Sequence, residues 1–230
     1  MCARQNYQGE PVRIMQSKRA GSLCGRKALV IGLTGGVATG KTTVARMFKA
    51  LGAKVLSADE IVHELVQPGS NVWRAVVDEF GDRILGEDGR IDRRKLAEIV
   101  FGDRQRRLRL EAITHPPVLE LLAAEAKRFR DTGRGVLILE IPLLFETASA
   151  RLVDKVLVVT AEQETQIRRL EKRYSLTREE AKLRIRSQLP MSEKIRHADW
   201  VVSTEGALRS TREQVERVWT TIQKSLAQGK

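Results

Sequence analysis

Apolar residues along the chain gather into short unbroken runs, separated by longer stretches that repeat with a helical period. The run ALVIGL (28–33) has no polar position, the pattern of a strand covered on both faces; a half-exposed strand would alternate. After it, Val44, Met47, Phe48 and Leu51 recur at i, i+3, i+4 and i+7, which predicts a helix ended by Gly52. Further runs follow as AKVL (53–56), GVLILEI (135–141), KVLVVT (155–160) and the weaker DWVVS (199–203). Strand-length runs alternating with helical stretches predict a parallel sheet of about five strands with helices on both faces, because each crossover between parallel strands must pass over one face.

Two stretches break the alternation. Residues 60–130 show only helical stripes, such as Val72, Ala75, Val76, Phe80 and Val118, Leu121, Leu122, Phe129, and read as a helical insertion. Residues 161–190 read as a helix through Ile167 and Leu170, a turn, and a second helix opened by the capping box Thr177-x-x-Glu180. A last helix presents Val215, Val218, Trp219 and Ile222 on one face, with a second box, Ser210-x-x-Glu213, at its predicted start. The expected organisation is a mobile basic leader at 1–27, a core from 28–59, 131–160 and 191–230, the insertion at 60–130, and a helical lid at 161–190.

Composition narrows the class. A chain of 230 residues with 42% hydrophobic and 30% charged positions can bury its own core. The longest uncharged run, 28–40, contains four glycines and is too short to span a bilayer, so no membrane association is expected. Cys2 and Cys24 both lie in the leader without framework spacing, which favours a reducing, cytoplasmic setting. The formal charge is +12, of which the leader holds +5. Such a surplus fits nucleic acid, an acidic surface or a polyphosphate ligand. Aromatics at 4% weaken a single-strand nucleic-acid reading.

The chemistry is most concentrated at Gly35 to Thr42, GGVATGKT, which fits G-x-x-x-x-G-K-[ST] and falls between the first strand and the first helix. Glycines there let backbone N–H groups turn inward around phosphate, with the positive end of a helix behind them. Lys41 can then reach the outer phosphates and the Thr42 hydroxyl can ligate Mg²⁺. In a parallel sheet ligands bind at the carboxyl edge of the strands. Asp59, just past the second strand, therefore either orients an attacking hydroxyl and helps hold metal or merely caps a helix, since Ser57-x-x-Glu60 is itself a capping-box pattern. Glu140 ends the third run and either serves as the second acid of a nucleotide site or bonds neighbouring amides. Arg168, Arg169, Arg173, Arg184 and Arg186 can close over a nucleotide or form a solvated face paired with Glu171, Glu179 and Glu180. His63, His115 and His197 have no metal-ligand spacing, and no G-x-S-x-G nucleophile motif occurs.

Taken in order, these motifs resemble the dephospho-CoA kinase family. The resemblance rests on LTGGVATGKTTVA, VLSADEIVHELVQPG, THPPV, IPLLFE, the stretch from ETQIRRLEKR to RIRSQLP, and EKIRHADWVV, and it spans about residues 28–222. It implies a P-loop α/β/α fold and ATP- and Mg²⁺-dependent phosphorylation of the ribose 3′-hydroxyl of dephospho-CoA; the sequence leaves the oligomeric state open, with a monomer favoured. Asp59, Lys41 and Arg169 would be catalytic. Gly35, Gly36, Val37, Ala38, Thr39, Gly40, Lys41, Thr42, Thr43 and Arg173 would bind the nucleotide, with Thr42 and Asp59 on the metal. Asp59, His115, Glu140, Pro142 and Leu143 would meet the substrate. The sequence departs from the family pattern at Ser57, where an acid is usual, and at Ser203-Thr204-Glu205-Gly206, where Asp-Asn usually precedes the glycine. Another P-loop nucleoside or sugar kinase, or a nucleic-acid-binding ATPase, would share the phosphate loop.

Overall fold

The first strand, β1 (Ala28–Gly35), is buried along its whole length, as a run without polar positions requires. The computed structural model describes residues 28–101, 103–147 and 149–227; the leader at 1–27, with both cysteines, lies outside the described residues. β1 is the middle of a five-stranded sheet ordered β2-β3-β1-β4-β5, with β2 (Lys54–Ser57), β3 (Gly135–Glu140), β4 (Lys155–Thr160) and β5 (Trp200–Ser203). All four pairings are parallel.

Successive side chains of a strand point to opposite faces, so each strand feeds two cores. Leu29, Ile31 and Leu33 pack with Ile138, Leu157 and Val202 against Val44 and Phe48 of α1 (Lys41–Ala50) and Val215 and Ile222 of α9 (Leu208–Ala227). Val30, Leu137, Leu139, Val156 and Val158 face the other way, onto Val118, Leu122 and Ala126 of α5 (Arg104–Thr132). The result is a three-layer α/β/α arrangement. Each fully buried Leu, Ile or Phe contributes about 1.5–3 kcal/mol. Such residues are concentrated in β1, β3 and β4; the four-residue edge strands β2 and β5 hold one buried residue between them, Val202.

Between β2 and β3 lie α2 (Ala58–Leu65), α3 (Asn71–Phe80), α4 (Arg93–Phe101) and α5. Val72, Val76, Phe80 and Ile84 form a separate small core with Leu110 and Ile113 of α5. α5 thus belongs to two units: its first half packs with α3 and α4, its second half on the sheet. Pro116 and Pro117 stand inside this helix near the changeover, where each removes a backbone donor from the ladder. His115 is therefore held at the junction between the helical insertion and the sheet layer.

α6 (Gln163–Tyr174) and α7 (Arg178–Arg186) share a fourth cluster through Ile167, Leu170 and Ala181, and α8 (Met191–Arg196) follows. The Thr177 to Glu180 capping box forms in both directions. The other two boxes do not. Ser57 is the N-cap residue of α2 without a side-chain cap bond. α9 starts at Leu208, two residues before Ser210, and Glu213 pairs with Arg209 at 3.0 Å instead. No helix among the described residues is long and apolar enough to cross a membrane.

Candidate active site

The phosphate loop is a turn that only small residues permit. A Cβ on Gly35 would stand 2.2 Å from the Val159 carbonyl oxygen, and Gly40, the N-cap of α1, has φ 86°, the left-handed region that glycine enters without penalty. Ala38 also has positive φ, at 56°, a conformation that costs a residue with a Cβ about 1–2 kcal/mol. Its carbonyl accepts from Arg169 Nη1 at 3.1 Å, which helps hold the loop in that shape.

Lys41 opens α1 and folds back over the loop, donating from Nζ to the carbonyls of Gly36 at 2.7 Å and Gly35 at 3.2 Å. Burial and, second, the neighbouring Lys194 ammonium lower its pKa from 10.5 to about 8, against the opposing pull of Glu140, Asp59 and Glu146. Thr42, next on the helix, donates from Oγ1 to Glu140 Oε1 at 2.8 Å. Glu140 ends β3 in register with Leu33 of β1 and Ser57 of β2, so the sheet edge itself brings it beneath the loop. Burial pushes its carboxyl above the ordinary range, while the Thr42 hydroxyl and Lys41 pull it back. Glu140, read both as a second nucleotide-site acid and as a substrate contact, bonds the phosphate-loop threonine and does not line the cavity that holds Asp59.

Asp59 sits in the first turn of α2, immediately past β2, with an exposed side chain. Its charge acts on both Lys41 and Glu140. Asp59, His115, Pro142 and Leu143, which the sequence scatters over 85 positions, line one cavity of about 140 Å³ together with Val118 and Leu122. Burial lowers the pKa of His115, which favours its neutral form at the cavity wall.

A larger cleft of about 620 Å³ opens on another side of the loop, bounded by Ala38, Gly40, Thr43, Arg169, Arg173 and Tyr174. The Arg173 and Arg184 guanidinium carbons lie 5.3 and 5.5 Å from the Tyr174 ring centre, in cation–π range. Arg169 lines this cleft and not the cavity that holds Asp59 and His115. Besides Ala38, it donates to Thr204 Oγ1 and to the Thr204 carbonyl, each at 2.9 Å. Thr204 Oγ1 in turn donates to the Thr39 carbonyl at 2.7 Å.

Several residues at the site are not singled out in the sequence, although Gln188 and Lys194 lie within stretches that carry the family resemblance. Gln188 Oε1 accepts from the Val37 N–H at 2.8 Å. Lys194 is fully buried and bonds Glu146 at 2.9 Å. Thr204 lies in the stretch that departs from the family pattern, where Glu205 binds the Glu162 N–H and the Thr165 hydroxyl at 2.6 and 3.1 Å. Lys194 in a charged helix and the surface-type Gln188 leave no periodic trace; their roles come from tertiary placement.

The donor set fits Mg²⁺. A hydroxyl and carboxylate oxygens are hard ligands, and this ion is usually held by one or two protein oxygens with phosphate and water supplying the rest. No group of three or more metal-ligating side chains occurs among the described residues.

A phosphate cradle between a buried strand and a helix, a lysine and a hydroxyl at its end, and a carboxylate just past β2 at the same sheet edge define a P-loop phosphotransferase. Residues 29–210 match the family model described as dephospho-CoA kinase. A dephospho-CoA kinase from Carboxydothermus hydrogenoformans is 45% identical over 186 residues, covering 81% of this chain and 90% of that one. Among solved structures, a Thermus thermophilus protein aligns with a TM-score of 0.70 at 35% identity over 85% of this chain and 98% of its own. The dephospho-CoA kinase from Campylobacter jejuni aligns with a TM-score of 0.61 at 27% identity, with the same coverage. The chain belongs to the dephospho-CoA kinase family.

Proposed function

We propose that the chain transfers the terminal phosphoryl group of ATP to the ribose 3′-hydroxyl of dephospho-CoA, giving CoA and ADP. The observation that carries this reading is the convergence of Asp59, His115, Pro142 and Leu143 on one cavity beside the phosphate loop, with Asp59 acting electrostatically on Lys41 and Glu140. ATP supplies the phosphoryl group: the acceptor oxygen bonds the terminal phosphorus as the bond to the ADP oxygen breaks, and the hydroxyl proton leaves.

In this reading the Asp59 carboxylate takes that proton at an Oδ atom and aims the hydroxyl, as phosphoryl transfer asks mainly for positioning and charge neutralisation. The N–H groups of Gly35 to Thr43 cradle the phosphates, and Lys41 exchanges its bonds with the Gly35 and Gly36 carbonyls for phosphate oxygens. Thr42 and Asp59 would hold Mg²⁺, with Glu140 fixing the Thr42 hydroxyl from behind. Arg169 shapes the loop, and Arg173 lies at the lip of the nucleotide cleft. The insertion, with His115 at its base, forms the acceptor side, and α6 with α7 closes over the nucleotide. The proposed acting unit is the single chain, in the cytoplasm.

The direct experiment is coupled ADP release with ATP, Mg²⁺ and a panel of alcohols, followed by mass analysis of the product. Dephospho-CoA should accelerate ADP release strongly and gain one phosphate. Equal stimulation by simple nucleosides, sugars or polynucleotides would contradict the reading.

A further inference from the structure

A fully buried lysine is costly to keep charged unless something specific compensates it, and Lys194 of α8 is such a residue. Its Nζ lies 2.9 Å from Glu146 Oε1 and 3.4 Å from the Pro142 carbonyl oxygen. Glu146 Oε1 also accepts from the Leu189 N–H at 3.2 Å, while Glu146 Oε2 is buried without a hydrogen bond. The Pro142 carbonyl has a second donor, the Thr34 hydroxyl at the end of β1, at 3.1 Å. Next to Leu189, Gln188 holds the Val37 N–H of the phosphate loop. One segment, Gln188 to Lys194, is thereby tied at one end to the nucleotide cradle and at the other to the turn Ile141–Glu146, whose Pro142 and Leu143 wall the acceptor cavity.

We infer that Lys194, with Glu146, is a positioning residue for phosphoryl transfer: the buried pair pins the acceptor wall at Pro142 to the segment that grips the phosphate loop. The acceptor hydroxyl and the phosphate loop are held in register through it. A pair of apolar residues would fill the space at less desolvation cost, so stability alone is a weak reason for this pair. Displacing a reactant by a fraction of its diameter lowers the rate steeply, because in-line transfer needs a near-attack geometry. The inference rests on the function proposed above.

The test uses a neutral pair of similar size. Lys194→Met alone leaves Glu146 buried without its cation and is expected to lower the melting temperature. Lys194→Met with Glu146→Gln removes both charges and keeps an acceptor for the Leu189 N–H, so the melting temperature should recover. In this double variant kcat/KM for dephospho-CoA should stay about tenfold or more below wild type, while Kd for ATP stays within about twofold. Thr34→Val, which removes the other donor to Pro142 outside the ion pair, should raise KM for dephospho-CoA several-fold without changing Kd for ATP. A refolded double variant with wild-type kcat/KM, or Thr34→Val with wild-type KM, would overturn the positioning role. Lack of dephospho-CoA phosphorylation by the wild-type chain would instead refute the functional reading on which the inference rests.

Discussion

Arg169 holds Thr204 by two bonds of 2.9 Å, to its hydroxyl and to its carbonyl, and with the same guanidinium reaches the carbonyl of Ala38. The arginine thereby joins α6, the loop after β5 and the nucleotide cradle into one unit. Three of its N–H bonds are made within the protein, and its side chain also lines the larger cleft, so it shapes the loop from the wall of that cleft.

Arg169→Lys should fail to substitute, because a single ammonium cannot make this planar set of bonds. Losing two or three charge-assisted bonds of about 1.5–3 kcal/mol each in a part-buried site should weaken ATP binding by about tenfold or more, with a smaller effect on dephospho-CoA affinity. Titration calorimetry with each ligand separately checks this. An unchanged ATP affinity would show that Ala38 keeps its left-handed shape without the arginine.

Lys41 makes a prediction about stability as well as turnover. Its folded pKa of about 8 lies below the unfolded 10.5, so between those values the unfolded chain binds more protons and stability rises with pH. Relative to Lys41→Met, the wild type should gain up to about 3 kcal/mol between pH 7 and pH 11, measured by urea unfolding of both proteins across the range. Turnover of Lys41→Met should fall by orders of magnitude, since the outer phosphates lose their cation.

Glu140→Gln separates burial from function. Burial raises the Glu140 pKa above 4.5, so its charge is a cost to the fold at neutral pH, relieved as the pH falls from the folded pKa towards 4.5. The glutamine variant should therefore melt no lower than wild type, while its turnover drops by about tenfold or more as the Thr42 hydroxyl loses a charged acceptor. A melting temperature well below wild type would mean that the carboxylate is mainly a structural support.

The centre of the sheet was legible in the sequence because β1, β3 and β4 are buried along most of their length and read as apolar runs; KVLVVT coincides with β4 at both ends. The phosphate loop was legible because backbone geometry restricts which residues can stand at Gly35 and Gly40. Boundaries inside the helical half were not. The period of α5 is the same where it packs on α3 and α4 as where it packs on β1 and β3, so nothing local marks the changeover except the Pro116–Pro117 pair. Capping boxes were unreliable in two of three instances, since Ser57 and Ser210 fit the pattern but tertiary structure fixed the helix starts elsewhere or left the bond unmade. The sequence singles out Arg169 for the nucleotide side, but its partner was not legible; only the fold brings Thr204, 35 residues later, to meet it.

Whether Asp59 acts on the acceptor hydroxyl is tested most directly by single-turnover phosphorylation of dephospho-CoA by Asp59→Asn, with ATP affinity measured on the same sample. The prediction is a rate lower by about 10²–10⁴ with near-normal Kd for ATP, because the amide cannot take the proton. A rate within a few-fold of wild type would contradict it.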